Sequence, residues 1–159
     1  MDIKHTSVFY TDVVANNNQT LTKDLQDSHF PFQFMSNSKW TRLFKVLVQH
    51  SDLIKKCWIK SIETEFPQEL RFDKGSEFDQ LFNSHGINDI LTGGPLTYKQ
   101  IQQLIFPKCW TIPRKMRDQT LIPFSYNQDI ESIKVVIESS GQYELEIVNG
   151  NLILYGYKN

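Results

Sequence analysis

Tyr143-Glu144-Leu145-Glu146-Ile147-Val148-Asn149-Gly150-Asn151-Leu152-Ile153-Leu154-Tyr155-Gly156-Tyr157 is the stretch on which the fold turns. Asn-Gly between two strand-like runs is the strongest short signal for a two-residue hairpin, because both turn positions need positive φ. Counting outward from the turn sets Ile147 opposite Leu152, Leu145 opposite Leu154 and Tyr143 opposite Gly156 on one apolar face. On the other face Glu146 lies opposite Ile153 and Glu144 opposite Tyr155. The first strand is half polar and the second apolar on both sides. The second strand is therefore expected inside a sheet and the first nearer its edge.

Just upstream, Ile130, Ile133, Val136 and Ile137 recur at helical spacing. Asn127 is the expected cap of this helix, Asp129 and Glu131 suit its first turn, and Gly141 ends it. A second helix is predicted after Ser36-Asn37-Ser38, with Trp40, Leu43, Phe44 and Leu47 inward and His50-Ser51-Asp52 as its end. Lys55 to Ile62 reads as a strand. A short helix, Glu77 to Ser84, is expected with Ser76 as cap, Phe78, Leu81 and Phe82 inward and Gly86 as its stop. Thr92-Gly93-Gly94-Pro95 reads as a turn and Tyr98 to Phe106 as a strand. Pro107, Pro113 and Pro123 mark the following stretch as loop. Residues 1–35, with Asn16-Asn17-Asn18-Gln19, read as an extended or partly mobile arm. The prediction is one α+β domain over 36–159, a mostly antiparallel sheet packed by a few short helices.

A chain of 159 residues with 40% hydrophobic and 13% aromatic residues can bury a core, and its net charge of −1 is not that of a strongly basic nucleic-acid binder. Cys57 and Cys109, each followed by Trp, read as buried thiols. No apolar run approaches a membrane span and no apolar leader follows Met1, so a reduced cytoplasm is the expected compartment. His5, His29, His50 and His85 are scattered, and no metal-ligand spacing, phosphate loop or nucleophile elbow is present. No catalytic residue, cofactor or metal is expected, and the chain reads as a non-enzyme, with an enzyme of unrecognised type, using Asp or Glu residues in a cleft, as an alternative.

Charge placement says more than its sum. Residues 36–60 carry +5, 61–91 carry −5, 92–117 carry +5 and 118–150 carry −5. Such blocks either pack against one another and cancel, or leave one-sign faces that steer a partner. The acidic candidates for a partner surface are Glu63, Glu65, Glu69, Asp73, Glu77 and Asp79. The aromatic candidate is Trp110. The basic run Lys108 to Arg117, with Arg114 and Lys115, is the alternative and would suit nucleic acid.

Phe34-Met35-Ser36-Asn37-Ser38-Lys39-Trp40, with Leu43 and Phe44 and then Cys57-Trp58-Ile59-Lys60, resembles a family of small bacterial proteins of unknown function. Its members open with an Asn-x-Lys-Trp helix start and carry a later tryptophan-bearing strand. Gly94-Pro95-Leu96-x-Tyr98-Lys99-x-Ile101 is similar to that family's middle motif. The resemblance spans residues 34–106, the N-terminal arm departs from it, and it implies no catalytic residues. By class alone the chain is also similar to immunity proteins of contact-dependent and other polymorphic toxin systems, which are small, cytosolic, α+β and free of catalytic motifs. That likeness implies a protein that neutralises a toxin domain by direct binding.

Overall fold

A computed structural model describes residues 32–72, 75, 77–90 and 94–158. The arm at 1–31, Asp73, the Ser76 cap and the Thr92-Gly93 part of the expected turn lie outside the described residues. Strands β2 (Cys57–Ser61), β3 (Gln68–Leu70), β6 (Ile101–Phe106), β9 (Leu145–Val148) and β10 (Asn151–Tyr155) form one antiparallel sheet in the order β3-β2-β6-β10-β9. Among the described residues three two-stranded ribbons accompany it. They pair β1 (Phe32–Gln33) with β11 (Tyr157–Lys158), β4 (Gly86–Ile90) with β5 (Gly94–Thr97), and β7 (Cys109–Met116) with β8 (Gln119–Asn127). Among the described residues the α-helices are α1 (Asn37–Gln49), α2 (Phe78–Leu81) and α3 (Ile130–Ser139). The architecture is α+β, as the sequence predicts.

The C-terminal hairpin has the predicted register: Ile147 faces Leu152, Glu146 faces Ile153 and Leu145 faces Leu154. Asn149 and Gly150 have φ of 53° and 83°, as a type I′ turn requires. β10 is interior, between β6 and the edge strand β9. Gly150→Val should lower stability by about 1 kcal/mol, since a β-branched side chain resists positive φ. Urea unfolding checks this, and an unchanged midpoint would refute the turn assignment.

Ser36 caps α1 by accepting from the Lys39 amide at 3.2 Å, so the helix begins where the Ser-Asn-Ser run predicts. Trp40, Leu43, Phe44 and Leu47 are buried. The Phe44 ring stacks at 4.4 Å on Phe82 and at 5.6 Å on Tyr98, which joins α1 to the segments after α2 and β5. Cys57, Ile59, Leu104, Phe106, Leu152 and Leu154 belong to the same core as Ile133 and Ile137 of α3. The alternate residues of the central strands, Trp58, Ile105 and Ile153, stand in one row on the opposite face and stay half-buried.

Several expectations are corrected. Residues 32–35, expected in the arm, are built into the domain: Phe32 and Gln33 pair with β11 and Met35 is buried. The helix expected over 77–84 stops at Leu81, because Phe82 turns extended to enter the aromatic core. Asn83 Oδ1 then accepts from the His85 and Gly86 amides and folds the chain into β4. Gly86 is therefore no helix stop; it is needed because a Cβ there would strike the Leu96 carbonyl oxygen. Gly94 and Pro95 belong to β5, and Tyr98–Gln100 forms a 3₁₀ turn before the strand. Asp129, not Asn127, caps α3, accepting from the Ser132 amide at 3.0 Å and the Ser132 hydroxyl at 2.6 Å. Those bonds hold its carboxyl below the usual carboxylate range.

The largest correction concerns the proline-punctuated stretch. It is not loop but the long β7–β8 ribbon, turned at Arg117, whose φ is 53°. Its register shifts between Ile112 and Arg114, opposite Phe124 and Leu121, so a bulge absorbs Pro113 and Pro123. A two-stranded ribbon has two open edges, where a residue without an N–H costs no ladder bond.

Candidate binding surface

The ribbon extends from β6 through Pro107 and returns to Gln128 at the foot of α3. Gln128 fixes its root. The buried side chain accepts from the amides of Lys55 (3.0 Å) and Lys56 (3.2 Å), and donates to the carbonyls of Lys56 (2.9 Å) and Pro107 (2.6 Å). Its own amide donates to Lys108 O at 3.0 Å. All four hydrogen-bonding sites of one amide side chain are thus used to join the start of β2 to both ends of the ribbon.

Strand alternation sorts the ribbon's side chains. Trp110, Ile112, Arg114 and Met116 share a face with Tyr126, Phe124 and Leu121, while Thr111 and Ser125 pair on the other. Trp110 stacks on Tyr126 at 5.8 Å, and the Arg114 guanidinium lies 4.1 Å from the Phe124 ring centre. Little covers this structure: Ile112 is 44% exposed, Phe124 48%, Tyr126 40%, Met116 64% and Ile122, at the bulge, 84%. Five large apolar side chains on one narrow element make a patch of the kind monomer surfaces keep small.

Beneath the aromatic face lies an open groove of about 680 Å³, between the ribbon and the end of the sheet where β2 begins and β3 finishes. Trp110, Ile112 and Tyr126 form one wall; Lys55, Lys56, Glu69 and Arg71 contribute the charge. The Lys56 ammonium sits 5.0 Å from the Trp58 ring and 5.7 Å from Trp110, so it links the open sheet face to the ribbon. Burial pushes the Cys57 thiol up, which leaves it protonated and inert, whereas Cys109, expected to be buried, is exposed at the start of β7.

The acidic candidates are distributed over separate elements. Glu63 and Glu65 lie in the connection from β2 to β3, with Gln100 donating to Glu63 at 3.0 Å. Glu69 is on β3, near Lys56 at 3.8 Å and Arg71 at 3.5 Å. Glu77 precedes α2 and Asp79 lies in its first turn. At the far edge, Lys158 approaches Glu144 and Glu146, and Tyr155 donates to Glu146 at 2.8 Å. Burial, followed by Glu146, pushes the Tyr155 hydroxyl up to about 12. Trp110, itself half-buried, is the sequence candidate that the fold sets beside the exposed rings of Phe124 and Tyr126.

No family model, curated protein or solved structure matches this chain.

Among the described residues no three His, Cys, Asp or Glu side chains gather as a metal site, and no helix is long and apolar enough to cross a membrane. Sequence reading did not find the groove or the Gln128 clamp. The ribbon had a faint signal, the even-numbered run Trp110, Ile112, Arg114, Met116, which the prolines obscured.

Proposed function

We propose that this protein is a non-catalytic binding protein that engages a protein partner through the aromatic face of the β7–β8 ribbon. In its most specific form it is an immunity protein that neutralises a toxin domain by covering it. The observation that carries the reading is the exposed set Ile112, Met116, Ile122, Phe124 and Tyr126 beside Trp110 and Arg114. Tyr, Trp, Phe, Met and Arg are the residues enriched at interface centres, where apolar area is removed from water. A second, steering role falls to the acidic candidates Glu65, Glu77 and Asp79, whereas Glu69 is already engaged with two cations and Glu63 accepts from Gln100.

The test is co-expression with the product of the adjacent reading frame, followed by affinity measurement on the purified pair. Trp110→Ala with Phe124→Ala should weaken a 1:1 complex about 30-fold or more, the effect of losing roughly 2 kcal/mol at a hot spot. A complex of unchanged affinity would move the interface off the ribbon, and no complex would remove the immunity form of the reading.

Nucleic acid is the second reading, favoured by Arg114 stacked on Phe124 with Lys115 and Arg117 at the tip. Aliphatic Ile112, Met116 and Ile122, exposed on the same ribbon, give bases no flat surface. We expect no binding of single-stranded DNA or RNA at physiological salt. A salt-sensitive micromolar complex abolished by Arg114→Ala with Arg117→Ala would favour this second reading.

A further inference from the structure

We infer that the groove between the ribbon and the β2–β3 end of the sheet receives an acidic segment of the partner, with apolar side chains interspersed among its carboxylates. The inference rests on the protein-binding reading and gives its partner a chemistry. Charge carries it. Lys55, Lys56 and Arg71 line the groove, and Arg114 lies on the same ribbon face. The single carboxylate among the described lining residues is Glu69, and it reaches Lys56 only at 3.8 Å and Arg71 at 3.5 Å. Those distances leave donors on both cations for an incoming carboxylate, and Arg71 offers a planar fork that suits one.

The apolar part of the groove argues against a simple anion site. Trp110, Ile112 and Tyr126 form a wall opposite Leu70 and Phe72, and a volume of about 680 Å³ accommodates several side chains. Lys56 lies between two indole rings. An incoming carboxylate reaching it would approach across an apolar surface, where water screens the attraction less. Alternating acidic and apolar residues satisfy both components of the lining, whereas a basic segment would set like charge against three cations.

The experiment uses the full chain and follows tryptophan fluorescence, because Trp58 and Trp110 flank Lys56. Two short acetylated peptides are titrated, one alternating glutamate with leucine and the other alternating lysine with leucine. The acidic peptide should give a saturable change, and the basic one should bind at least about tenfold more weakly. Arg71→Gln, at an exposed position, should weaken the acidic peptide about tenfold without shifting the melting midpoint. Raising the salt should weaken it further. No saturable response to the acidic peptide, or equal responses to both peptides, would overturn the inference. If a partner complex is lost on Trp110→Ala with Phe124→Ala yet is not displaced by saturating acidic peptide, the groove assignment fails while the ribbon interface stands.

Discussion

Gln128→Leu should lower the melting midpoint by about 10 °C, although leucine nearly matches glutamine in volume. The substitution removes no large apolar contact. It leaves the amides of Lys55 and Lys56 and the carbonyls of Lys56 and Pro107 without the partner they have now. An unsatisfied buried polar group costs roughly 1–3 kcal/mol, and water can reach some of these four, so a net loss of about 3–4 kcal/mol is expected. At roughly 2–4 °C per kcal/mol for a chain of this size, that gives the stated shift. Calorimetry measures it, and hydrogen exchange at Lys55 and Lys56 should accelerate in parallel. A variant with the wild-type midpoint would mean that the clamp does not hold the ribbon's root.

Gly156→Ala should be at least as damaging, with a loss of about 3 kcal/mol or more. The reason is space. A methyl group at this position would run into the Ile101 carbonyl oxygen and come within 3.0 Å of the Trp40 ring. The chain cannot easily retreat, because the Gly156 amide donates to Gln102 O at 2.7 Å and its carbonyl accepts from Phe34 N at 3.0 Å. Relief would require separating β6 from the strand end or displacing Trp40 from the core. Denaturant unfolding tests this, and a loss below about 0.5 kcal/mol, the usual range for a surface substitution, would contradict the close approach.

What the sequence made legible is local, strongly periodic and capped. The hairpin register followed from Asn149-Gly150 because strand side chains alternate with a period of two, so one anchored turn fixes every pair. Helix α1 followed from Ser36 and the Trp40, Leu43, Phe44, Leu47 stripe. The ribbon escaped notice because water reaches both its faces, so no clean apolar alternation marks it, and because Pro113 and Pro123 read as breaks. Gly86 and Gly156 look like punctuation in sequence, yet their role is set by a backbone oxygen far along the chain. Asn127 and Asp129 are both good caps by residue type, and the choice fell to Asp129 because Asn127 was needed to finish β8. Trp110 was legible as a candidate contact. The groove was not, since Lys56, Arg71 and Trp110 come from three separate segments that only the fold brings together.

The strand order also constrains how the protein is made. β6 lies between β2, which is synthesised well before it, and β10, which is synthesised some fifty residues later. While the chain emerges from the ribosome, β6 therefore has one free edge, and Leu104 and Phe106 lack the Leu154 and Leu152 that pair with them. The sheet cannot close until residues near Tyr157 have cleared the exit tunnel. Closure of the central sheet therefore waits for β10, and a nascent chain stalled before β10 would expose an unpaired apolar strand for chaperones to hold.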